Sequence, residues 1–188
     1  MNSRELEGLL AALSGYPPGE VDKRIRPLRE KSLIPHGPRG PYAFQLEPIH
    51  AALCVLCMAA RRTVDAASVA VRAMDLQLIP RPGCPLGPKM ALTVALATAF
   101  VAGSEVVRQV DVASDGSMAW IEMIVEGEKY RLAFTDSEKV RRAVARRPDT
   151  YDAVGAGWCG HVFTMRSAAI DQVMLALKED ERAGYADG

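Results

Sequence analysis

Apolar residues recur at helical spacing through the first half of the chain, and short runs rich in β-formers follow in the second half. Leu6, Leu9, Leu10 and Leu13 share one helical stripe behind Ser3, which has the chemistry of an N-cap, with Glu5 and Glu7 in the first turn. Ser14-Gly15-Tyr16-Pro17-Pro18 ends that helix, because glycine suits a C-terminal cap and proline opens helices better than it continues them. Val21, Ile25, Leu28 and Ser32 then mark the inner stripe of a second helix, with Lys23, Arg24, Pro27, Glu30 and Lys31 opposite. Pro27 removes one backbone hydrogen bond and predicts a kink or restart. Pro35 to Pro41 is too rich in Gly and Pro for helix and predicts a tight exposed loop, followed by a short strand over Tyr42 to Leu46.

Ile49 to Ala60 is apolar on nearly every side, as a helix buried between neighbours or in a dimer interface would be. A further helix is expected from Thr63 and Asp65 to about Leu78. Between Pro80 and Pro88 stand four prolines and two glycines, the composition of a linker. An alanine-rich helix follows over about Lys89 to Ala102. Val106 to Val112, Met118 to Val125 and Lys129 to Phe134 predict an antiparallel meander, turning at Ser114-Asp115-Gly116-Ser117 and Glu126-Gly127-Glu128. Thr135 and Glu138 have capping-box spacing for a helix through Arg146; His161 to Met165 predicts a strand, and Ser167 starts a last helix with Ile170, Val173, Met174 and Leu177 on one face. These elements predict an α+β protein in two parts: 1–79, 80–88 as a Pro/Gly linker, and 89–188 as a small α+β domain for dimerisation or sensing.

Composition changes this picture little. At 49% hydrophobic and 24% charged residues the chain has the balance of a folded protein. No apolar run reaches the roughly 18 to 20 residues needed to cross a bilayer, and MNSRELEG lacks the pattern of an export signal. Four cysteines, two of them inside an apolar helical run, do not make a disulfide framework, so a reducing cytoplasm is expected. Charge alters the picture more. The formal net charge is zero, yet Val21 to Gly40 holds six basic residues against two acidic ones, whereas from Asp171 onward five acids face Lys178 and Arg182.

The run LEGLLAALSGYPPGEVDKRIRPLREKSLIPHGPRGPYAF, roughly a fifth of the chain, resembles the winged helix-turn-helix superfamily. Its basic helix ends in Leu33-Ile34 just before the Gly/Pro loop, as in that superfamily; Ser32, where many members carry glycine, and Pro27 depart from the pattern. The resemblance implies a recognition helix over about 18–34 in the major groove and a wing over 35–42 on the backbone. It implies groove-facing roles for Lys23, Arg24 and Lys31, with Arg39 at the wing tip. Arg29 and His36 complete the basic set, and Arg24 and Arg26 are the candidates for reading guanine edges. Each lysine or arginine that neutralises a phosphate releases counterions, so such a set gives salt-dependent affinity before any base is read. Gly19 would admit a phosphate close to backbone amides.

Other constellations carry less. His50, Cys54 and Cys57 share a helix face suited to a soft metal, with Cys84, Cys159 or His161 as a remote fourth ligand, but no paired ligand loop accompanies them. Cys159 and His161 flank Gly160 without an orienting Asp or Asn, and Gly155-Ala156-Gly157 lacks the context of a phosphate loop. Lys139, Arg141, Arg142, Arg146 and Arg147 form a second basic run, read as a solvated helix face. The expectation is therefore a DNA-binding transcriptional regulator, not an enzyme, without cofactor. It would act on double-stranded DNA as a homodimer, with a protein or small-molecule effector on its second half. The alternatives are a phage-type DNA-packaging or recombination accessory protein, and a protein-interaction or ligand-binding module that does not bind DNA.

Overall fold

A computed structural model describes residues 1–35, 44–80, 84, 90–103, 105–148, 151 and 161–184. Helix α1 (Ser3–Ser14) is capped by Asn2, whose side chain accepts from the Arg4 and Glu5 amides while the Glu5 carboxylate accepts from the Asn2 amide. The cap thus lies one residue before Ser3, because Asn2 and Glu5 complete a reciprocal box. Gly15, at φ 73°, ends the helix in the left-handed conformation. Helix α2 (Pro18–Glu30) begins on proline and runs through Pro27 as one element. It stops short of residue 34, where Ser32 turns left-handed at φ 55° and the Leu33 amide reaches back to the Leu28 carbonyl. Ile34 is buried there and fixes the exit of the chain.

Residues 36–43, which hold most of the expected wing with His36 and Arg39, lie outside the described residues. Of the expected strand over Tyr42 to Leu46, the described part shows one bridge, Gln45 opposite Asn2, with the Leu46 amide donating to Met1 O at 2.9 Å. Helix α3 (Pro48–Met58) is the axis of the helical half: Ala51 to Met58 are all buried, packed among α1, α2, α4 (Ala66–Met74) and α5 (Leu92–Ala102). A single 3-10 turn, Thr63–Asp65, leads into α4. Helix α4 stops at Met74 instead of continuing to Leu78; Gln77–Leu78 form a short strand, β1, on the edge of the sheet. Leu76, Leu78 and Ile79, with Gln77 among them, are compatible with either state, and pairing with a strand more than fifty residues away decides it.

The sheet is antiparallel, in the order β1-β4-β3-β2-β5. Strands β2 (Val107–Ala113), β3 (Met118–Val125) and β4 (Glu128–Thr135) form the expected meander, and β5 (Val162–Arg166) pairs with the free edge of β2. Glu126 and Gly127, at φ 52° and 82°, make the two-residue β3–β4 turn. Helix α6 (Glu138–Arg146) is capped by Ser137, whose Oγ accepts from the Val140 amide; Thr135 belongs to β4. Helix α7 (Ser167–Gly184) packs on β2, β5, α5 and α1.

Two faces of the sheet are covered differently. Val110, Val112, Ile121, Leu132 and Phe134 look onto the helices and join the same buried cluster as Leu6, Ile25, Leu56 and Leu96. Trp120 and Ala133 look the other way, onto Ile79, Val144 of α6 and Tyr151. The proposed division at 80–88 is not matched by a division of the main core, which runs from Met1 to Val173. The flanks of the Pro/Gly run are tied to each other: the Leu78 amide donates to Met90 O and the Leu92 amide to Leu76 O, both at 2.9 Å. Helix α4 is pinned to the meander by Arg72, which donates to Asp136 Oδ2 at 2.7 Å and to the Asp115 carbonyl at 3.3 Å. Gly116 closes the same contact, since a Cβ there would stand 2.7 Å from Val69 O.

Candidate nucleic-acid interface

Helix α2 carries its basic residues on two unlike faces. Arg24 points inward and is 2% exposed. Its Nη1 donates to the Ala60 carbonyl at 2.7 Å, its Nε to Glu20 Oε1 at 3.2 Å, and its guanidinium lies 4.4 Å from the Tyr16 ring centroid. Arg29 is also turned into the protein, where it joins α1 to α2 by donating to Ser3 Oγ at 3.1 Å, to Glu7 and to Asp22. Neither guanidinium is presented outward in this arrangement, so the expectation that Arg24 reads a base edge does not fit its geometry. A buried arginine must find acceptors for its donors, and here they come from the end of α3, from α1 and from Glu20 and Asp22 of α2 itself.

Lys23, Arg26, Glu30 and Lys31 lie on the outward face with Pro27 between them. Arg26 is 58% exposed and donates to Asp22. Among the described residues neither Lys23 nor Lys31 is in an ion pair. Asp22 serves both Arg26 and Arg29. Burial pushes its carboxyl up, but the hydrogen bonds from Arg26 and Arg29 and their charges outweigh this and hold it below the usual range. Glu20 is likewise held low, first by the hydrogen bond from Thr63 Oγ1 and then by the charges of Arg24 and Lys23.

Two further cations enter from outside the helix. Arg24 grips Ala60 and Glu20 grips Thr63, so Arg61 and Arg62 are held beside the N-terminal half of α2. Both are exposed; Arg62 makes a loose pair with Asp65 at 3.7 Å. No side chain caps the start of α2, and Gly19 is exposed there with no atom within 4 Å of the position a Cβ would take. The Arg61-Arg62 dipeptide is visible in the sequence directly after the apolar run, but its nearness to α2 is set by contacts more than thirty residues apart.

The cysteine face of α3 has a different character. His50 Nδ1 accepts from the Glu47 amide at 3.1 Å and so completes a cap. Burial pushes the Cys54 thiol well up and raises the Cys57 thiol to about 12, which keeps both protonated, the wrong state for nucleophile or metal ligand. Cys159 and Gly155 to Gly160 lie outside the described residues. Among the described residues no helix is long and apolar enough to cross a membrane. The chain matches no known family, no characterised protein and no solved structure.

Proposed function

We propose that the protein binds double-stranded DNA, chiefly through the phosphate backbone, as a cytoplasmic homodimeric regulator. The observation that carries this reading is the line of exposed cations Lys23, Arg26 and Lys31 on the outer face of α2, with Arg61 and Arg62 beside its open N-terminus. The positive end of the α2 dipole with cations nearby attracts a phosphate, and several cations on one face multiply the counterions released. Arg24 and Arg29 support the surface from behind by holding α2 on α1 and α3. Sequence choice then falls to Lys23 and Arg26. A dimer doubles the number of phosphate contacts.

Compensation inside α2 favours a second reading. Each of Arg24, Arg26 and Arg29 already has a carboxylate partner, as expected of a protein-interaction module whose basic helix is structural. Fluorescence anisotropy on a labelled duplex separates the two. The DNA reading expects saturable binding that Lys23→Ala weakens roughly three- to tenfold without altering the thermal melt. Absence of binding at low salt refutes it, and light scattering then tells a dimer from the larger ring expected of a packaging factor.

A further inference from the structure

A groove of about 240 Å³ lies between α6 and the β1 edge, far along the chain from α2. Leu78 and Pro80 form its apolar side; Glu138, Arg141, Arg142 and Ala145 form the helix side. Two guanidiniums face one carboxylate, so the lining carries one net positive charge. Glu138 is shared: its Oε2 accepts from Arg141 Nη2, and its Oε1 from Arg142 Nε at 2.8 Å. Arg141 Nε is buried and has no hydrogen-bond partner among the described residues. That nitrogen and Nη2 form the edge with which a guanidinium grips a carboxylate by two parallel bonds. In Arg141 half of this edge is engaged by Glu138 and half is idle.

We propose that this groove binds a small monocarboxylate with a short apolar body. The carboxylate takes the Nε and Nη2 edge of Arg141, and Glu138, exposed and still held by Arg142, swings aside. Leu78, Pro80 and Ala145 receive the apolar part. A single net positive charge matches a monoanion better than a doubly charged phosphate. An unsatisfied buried donor favours a ligand that supplies the missing acceptor. Glu138 is then an internal competitor that holds the site until a ligand displaces it. Occupancy of this groove does not depend on whether α2 binds DNA.

Isothermal titration of the full chain with hexanoate, with inorganic phosphate as comparison, tests this. Hexanoate is expected to bind saturably and more tightly than phosphate. Arg141→Gln should weaken it about tenfold or more, and Glu138→Gln should tighten it several-fold. Ala145 is exposed on α6, so Ala145→Trp blocks the groove without touching a charge or the core, and it should abolish binding. No saturable heat with hexanoate, equal affinity for phosphate, or unchanged affinity in Ala145→Trp would each overturn the proposal.

Discussion

Helices α2 and α6 are both rich in arginine, yet they use it in opposite ways. In α2 the guanidinium of Arg24 is buried and that of Arg29 is half-buried, and together they tie α2 to α1 and to the end of α3. In α6 a single residue, Val144, is buried, while Arg142 is 72% exposed and bonded only to Glu138 one turn away among the described residues. The number of basic residues in a helix therefore says little about whether they are available to a partner. Availability depends on whether acceptors from other elements reach the guanidinium, and only the fold supplies them.

The sharpest way to break this contrast is to truncate the buried arginine. Arg24→Ala leaves the Ala60 carbonyl and part of Glu20 without a donor and removes the contact with Tyr16. It should cost about 2 to 3 kcal/mol in urea unfolding, whereas Arg142→Ala should stay within about 0.5 kcal/mol. Equal losses would erase the distinction. For the same reason Arg24→Ala is a poor probe of DNA contact, since lost binding would report lost fold.

A pH series asks the question electrostatically. The folded values of Glu20 and Asp22 lie below their ordinary ones. Their contribution is fully present above the unfolded value of about 4 and is lost as pH falls through the folded values. Unfolding free energy should therefore drop between neutral and strongly acid solution, and Asp22→Asn should flatten that drop. Glu138 is also held low, first by its hydrogen bond from Arg142 and then by Arg141, but its exposed setting is screened by solvent. Glu138→Gln should leave the acid profile nearly as it was.

A smaller effect is expected at the exit of α2. Ser32 sits at φ 55°, a conformation that strains a side chain and suits glycine. Ser32→Gly should raise stability by about 0.5 to 1 kcal/mol, read as a higher melting temperature. A loss instead would mean that Ser32 has a role beyond ending the helix.

Much of the fold was legible where the signals are local. The three-stranded meander follows from β-forming runs separated by Asp115-Gly116 and Glu126-Gly127, and α1, α3 and α7 follow from caps and apolar spacing. Pairings between distant residues were not legible. Leu78 joins β4 through Phe134, and Arg24 finds its acceptor 36 residues away at Ala60. Pro80 to Pro88 reads as a linker because glycine and proline exclude regular structure, although residues 76–78 and 90–92 are hydrogen-bonded to each other. At the candidate site, Lys23 and Lys31 were legible as outward, but the helical stripe placed Arg24 beside them and left Arg26 out; the inward turn of Arg24 and Arg29 and the approach of Arg61 and Arg62 depend on tertiary packing.

A duplex held by the outward cations of α2 must release counterions as it binds. The slope of log binding constant against log salt concentration, measured on one duplex for the native chain and for Lys23→Ala/Arg26→Ala/Lys31→Ala, tests it most directly. The slope should be shallower by about 2 to 3 in the triple variant, with an unchanged melt. A native slope near zero, or a triple variant whose slope equals the native one, would contradict it.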